Sequence, residues 1–237
     1  MCVVAIGLEA HPHWQLVVAG NRDEFHSRAS APLVRWDDGS GIIAGRDLVS
    51  GGSWMGVSDA GRLAVVTNIR NADGPDPDKL SRGALVTDWL AHGALPYDAS
   101  GYNPFNLFVA EGRAATYLAN RPQPSRTPLG AGIHGFSNAI PNGHWPRKDR
   151  LIQELGYWLG RTGDCANALL NLLGDESVPD PGGLPIFIRN PVYGTRCSTV
   201  ILVDAMGKGR IIERRYDTKG DTTGETTLDF RWPAKQA

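Results

Sequence analysis

Apolar positions arrive first in short, unbroken runs. Cys2 to Leu8 and Gln15 to Ala19 are β-rich, and His11-Pro12-His13 between them suits a hairpin connection. Ser53 to Ser58 and Arg62 to Asn68 flank Asp59-Ala60-Gly61, a second hairpin signal. The period then changes. From Ser81 to His92 the residues Leu85, Trp89 and Leu90 recur at helical spacing, with Gly93 placed to cap the C-terminus. Phe105 to Ala110 and Ala115 to Ala119 return to strand character, Arg121 to Pro128 reads as a proline-rich surface loop, and Ile133 to Ile140 as a further strand. Pro146 opens a helix whose stripe is Leu151, Ile152, Leu155, Trp158 and Leu159. A second helix starts from Asp164 as N-cap, carries Ala168, Leu169, Leu172 and Leu173 on one face, and stops at Gly174. Ser198 to Asp204 and Arg210 to Tyr216 close the pattern as a strand pair around Ala205 to Gly209. Strands, then helices, then strands predict a layered α+β fold with mostly antiparallel sheets.

One stretch breaks the pattern. In AGNRDEF, Ala19 to Phe25, an apolar run leads directly into Arg22, Asp23 and Glu24. Gly20-Asn21 is good turn chemistry, so a solvated loop is the simplest reading of the heptapeptide alone. A strand continuing inward would need partners for those ions, since burying an unpaired charge costs several kcal/mol.

Composition narrows the functional classes. A chain of 237 residues can bury a full core in one domain, residues 1–237. With 24 Lys and Arg against 25 Asp and Glu, it offers no electrostatic case for nucleic acid, and no basic run suggests a membrane surface. No apolar segment approaches the ~18 residues of a membrane helix, and Glu9, His11, Pro12 and His13 interrupt any signal-peptide core. Three widely spaced cysteines argue against a disulfide framework and for a reducing compartment, so the protein reads as soluble and cytoplasmic. No metal is expected: there is no CxxC, and His11 and His13 have no third ligand near them in sequence. Gly130 to Gly135 matches GxGxxG, but the helix that a dinucleotide site requires does not follow, and no cofactor is expected.

Cys2 carries more information. Removal of Met1 would leave a thiol and a free α-amine on one residue, with reference pKa values of about 8.5 and about 7.7–8.0. Nucleophile and base then belong to the same residue, the arrangement of N-terminal-nucleophile enzymes. If Cys2–Leu8 pairs with Gln15–Gly20, the chain start lies beside Asn21, Arg22 and Asp23. A cation there lowers the thiol pKa, and a carboxylate orients the ammonium. Asn68 and Asn138, each at or just beyond an apolar strand, are candidate oxyanion donors. Trp54, Met55, Trp145 and Trp158 are candidate apolar lining.

MCVVAIG, AGNRDEF, GGSWMGVSDAGRLAVVTNIR, SRGALVTDWL, FNLFVAEG, GFSNAIPNGHWPRK and GTRCSTVILVD, in that order, resemble the NRDE family, also called Transport and Golgi organisation 2. That family is similar to the cysteine-type N-terminal-nucleophile hydrolases. The resemblance implies a four-layer αββα sandwich with Cys2 as nucleophile, Asp23 near the amine, Asn68 and Asn138 on the oxyanion side and Arg196 as a nearby cation. Asn21, Arg22, Trp54, Arg70 and Trp145 are the candidate ligand-binding residues. Two departures stand out. Choloylglycine hydrolases resemble GRNxD at the second strand end, and here Gly20 falls where the arginine would, leaving Arg22 shifted along the chain. The usual SNAxLDTPWPK is SNAIPNGHWPRK here, with Pro141, Asn142, Gly143 and His144 replacing the typical residues. The expected activity is hydrolysis of a small amide or thioester. The alternative is a carrier or chaperone for a hydrophobic ligand such as haem or acyl-CoA, in keeping with the family's link to lipid and haem homeostasis. Either way the partner is a small molecule.

Overall fold

A computed structural model describes residues 2–71, 74–140, 143–161, 165–178 and 183–233. The chain gathers into two compact units, one of residues 1–27, 131–137 and 144–230 and one of residues 28–130, 138–143 and 231–237.

The first unit holds β1 (Val3–His11), β2 (Trp14–Phe25), β10 (Gly132–Phe136), β11 (Tyr193–Asp204), β12 (Lys208–Tyr216) and β13 (Thr222–Arg231), in the sheet order β10-β1-β2-β11-β12-β13. β1 and β2 are buried at consecutive positions, so both faces of the sheet are covered, which explains why these strands read as continuous apolar runs without alternation. On one face lie α2 (Pro146–Gly160) and α3 (Ala166–Leu173). Leu151, Leu155, Trp158, Leu169, Leu170 and Leu173 pack there on Val3, Ala5, Val17, Ala19, Val200 and Leu202. Pro146 stands in the first turn of α2, where its missing N–H leaves no helical bond unmade.

The second unit is an antiparallel meander in sequence order: β3 (Ser30–Arg35), β4 (Ile42–Asp47), β5 (Met55–Ser58), β6 (Arg62–Asn68), β7 (Phe105–Glu111), β8 (Ala114–Ala119) and β9 (Ser125–Leu129). Against it packs α1 (Arg82–His92) through Leu85, Val86 and Leu90. Ser81 caps α1 by accepting the Gly83 N–H, and Gly93 ends it at φ 66°, a left-handed conformation that glycine adopts without penalty.

The expected α+β class with two antiparallel sheets is what forms. Several details differ. The loop reading of AGNRDEF is overturned, because β2 runs unbroken to Phe25, paired with β11 throughout. Within the proline-rich stretch β9 forms an edge strand, its Pro128 tolerated where only one neighbour needs hydrogen bonds. β10 stops at Phe136, short of Ile140. α3 begins at Ala166; Asp164, the expected cap, lies outside the described residues. β3, β4 and β13 have no counterpart in the expected elements. Among the described residues no helix is long and apolar enough to cross a membrane.

Candidate active site

The β1–β2 register sets Val3 opposite Asn21, so Cys2 falls alongside the charged end of β2. Its sulfur lies 4.0 Å from the backbone carbonyl oxygen of Asp23, and its own carbonyl accepts the Ser137 hydroxyl at 2.9 Å. The Ser137 contact anchors the Cys2 backbone, and the sulfur rests loosely against the Asp23 carbonyl.

Strand alternation sorts the residues of AGNRDEF. Asn21 and Asp23 turn to the helix-covered face. The Asp23 carboxylate is fully buried: Arg147 donates to one oxygen at 2.7 Å and the Thr195 hydroxyl to the other at 2.7 Å, with the Arg147 side chain 1% exposed. Arg147 also donates to the Ile186 carbonyl at 2.6 Å. Asn21 donates to that same carbonyl and to the carbonyl of Leu173 at the end of α3, and it accepts from Ser198. The Asp23 carboxylate thus has the partners that burial demands, so the strand can go on where the sequence suggested a turn. Arg22 takes the opposite face, in register with Cys197 and 4.0 Å from Glu24.

Burial pushes the Cys2 thiol above the ordinary range, and the Asp23 charge adds to it; Arg22 pulls the other way. The Cys197 thiol is raised further, first by burial and then by Glu213. None of the three cysteines is in a disulfide. Desolvation, reinforced by the like charge of Arg22, lowers the Arg196 pKa, and the guanidinium donates to the carbonyls of Phe25 and His26 at the end of β2.

Two participants had not been singled out. Arg147 shares a helical stripe with Leu151, Leu155 and Trp158, and a cation on an apolar stripe signals a buried acid. The Tyr193 hydroxyl donates to the Asp23 carbonyl at 2.7 Å across a separation of 170 residues, which no local pattern could reveal.

In the second unit Asn68 ends β6, and the buried Asn138 donates its side-chain amide to the Asn68 carbonyl at 2.6 Å while accepting the Arg70 N–H at 2.9 Å. Asn68, Arg70 and Asn138 are therefore neighbours; the Arg70 side chain is exposed. The Trp54 ring covers Gly45, where an added Cβ would sit 2.4 Å from it. Trp145 is the N-cap residue of α2. Met55 and Trp158 are buried, Trp158 within the helix-side core against Trp14, so these two serve as core and not as exposed lining. Of the divergent loop residues, His144 is exposed and pairs with Asp149, while Pro141 and Asn142 lie outside the described residues. His11 accepts the His13 N–H within the β1–β2 turn, as turn residues do.

A family profile described as Transport and Golgi organisation 2 matches residues 1–218. The chain belongs to that family. A Transport and Golgi organization protein 2 homolog of Bos taurus is 32% identical over 98% of this chain and 99% of its own length. The Drosophila melanogaster protein is 26% identical over 90% of this chain and 91% of its own. Among solved structures, the Caenorhabditis elegans ortholog of N-acylethanolamine-hydrolyzing acid amidase superposes with a TM-score of 0.55, at 15% identity, over 85% of this chain and 92% of that one. At that identity the likeness is one of fold: this family member has the α+β architecture of N-terminal-nucleophile hydrolases.

Proposed function

We propose that the protein is a cysteine hydrolase of the N-terminal-nucleophile type, cleaving a small amide or thioester by acyl transfer through Cys2. The observation that carries the reading is the seating of the Cys2 sulfur on the Asp23 carbonyl, with the buried Asp23 carboxylate bonded by Arg147 and Thr195. The likeness in fold to an acid amidase supports the amide arm.

The reaction requires removal of Met1. The liberated α-amine takes the thiol proton as sulfur attacks the substrate carbonyl, and the same proton goes to the leaving amine or thiol as the tetrahedral intermediate collapses. An acyl thioester on Cys2 remains. Water, deprotonated by the amine, hydrolyses it and restores the thiol. Burial raises the thiol pKa, so the amine has to take the proton as attack begins. Arg22 then favours the developing thiolate. Asn68 and Asn138 enter as oxyanion donors from the family resemblance alone.

Intact-mass measurement tests the reading. The expected result is a chain lacking Met1 that gains one acyl group on incubation with acyl-CoA thioesters or N-acylethanolamines, with no adduct on Cys2→Ala. Retained Met1, or no adduct and no turnover across both panels, would refute it.

A further inference from the structure

We infer that Tyr193 is a positioning residue for the Cys2 nucleophile: its hydroxyl shares the Asp23 carbonyl with the thiol and weakens that oxygen's hold on the S–H. The inference rests on Cys2 as the nucleophile, but its readout is thiol reactivity and not turnover.

The geometry is a competition for one acceptor. The Asp23 carbonyl receives the Tyr193 O–H at 2.7 Å, a full-strength hydrogen bond, while the Cys2 sulfur stands at 4.0 Å, the outer limit for a sulfur donor. A carbonyl has two lone pairs, so both contacts coexist, but the stronger donor takes the better position. A phenol is much the stronger donor of the two. An S–H bonded firmly to a carbonyl is stabilised as the neutral thiol, and the reactive species is the thiolate. With the carbonyl satisfied from β11, the thiol is left against it yet loosely held. β11 brings the hydroxyl there: Tyr193 pairs with Phe25, two positions beyond Asp23, and its ring packs edge-on to Phe25 at 5.0 Å. That aromatic contact aims the phenol back along β2. Tyr193 is half-buried, so the oxygen can be removed without opening the core.

The experiment compares wild type, Tyr193→Phe and Phe25→Leu by following iodoacetamide modification of Cys2 as a function of pH. Peptide mass spectrometry separates it from the exposed Cys165. Tyr193→Phe deletes one oxygen and keeps the ring. Expected is alkylation about two- to tenfold slower at neutral pH, the scale of one hydrogen bond, with the midpoint of the pH–rate curve moved upward. Phe25→Leu, which keeps the hydroxyl, is expected to leave that midpoint in place. An unmoved midpoint in Tyr193→Phe overturns the inference, and so does an equal shift in Phe25→Leu, which would assign the effect to ring packing. A protein that alkylates as expected yet hydrolyses neither amide nor thioester would sink the hydrolase reading and leave Tyr193 in its role.

Discussion

Asp23 concentrates the physics of the site in one residue. Arg147 and Thr195 bond its buried carboxylate, so Arg147→Met should cost about 3–5 kcal/mol by removing the cation that faces the buried charge. Adding Asp23→Asn should restore much of that loss, and a double-mutant cycle of thermal midpoints checks both. The thiols give two further outcomes. Arg22 opposes the rise of the Cys2 pKa, so Arg22→Gln should move the midpoint of Cys2 alkylation to higher pH; a fall would show that Arg22 acts otherwise. Cys197 is raised well above the ordinary thiol value, so between about pH 8.5 and its folded value the unfolded chain loses a proton that the native state keeps. Stability then falls as pH rises through that window. The melting-temperature advantage of wild type over Cys197→Ala should accordingly shrink above about pH 8.5. The convergence of Cys2 and Asp23 was legible because hairpin register is arithmetic. Arg147 was legible in principle, as a cation on an apolar stripe. Tyr193 was not, because its partner lies on a strand that only the assembled sheet brings near.

At the scale of elements, legibility followed burial. β6 is recovered to the residue and α1 to within one, since each pairs a strong period with a turn or cap that marks its end. β13 escaped because its threonines and charges alternate at an exposed edge, where no apolar face writes a pattern. β3 carries Pro32 and a mostly solvent-facing sequence, so it resembles a loop until β4 pairs with it. Close backbone approach was equally invisible. A Cβ on Gly52 would sit 2.4 Å from the Gly83 carbonyl carbon in the first turn of α1, a contact no rotamer change can relieve. Gly52→Ala should therefore destabilise by about 1–3 kcal/mol or more, by undocking the helix start that Ser53 holds through the Gly83 carbonyl. A chemical-denaturation midpoint equal to wild type would contradict that account.

For the whole molecule, chain order decides when the site can exist. The first unit is assembled from the two ends of the sequence, and the bond between Ser198 and Asn21 closes a separation of 177 residues. The meander of the second unit is built from neighbours: Ser58 pairs with Arg62 across one turn, and Glu111 with Ala114 across another. Loop-closure entropy must be overcome before distant strands reward pairing, so contacts of long separation form late. Until β11 arrives, β2 presents an open edge and Asp23 has neither Thr195 nor the Tyr193 hydroxyl. Pulsed hydrogen exchange during refolding of the full chain should therefore show amides of β5 to β8 protected before those of β2 and β11, with the latter two appearing together. Protection at Asn21 and Asp23 in the earliest pulse, ahead of β11, would mean that β2 is ordered without its central partner. The nucleophile's surroundings would then be set by the first hairpin alone and not by closure of the sheet.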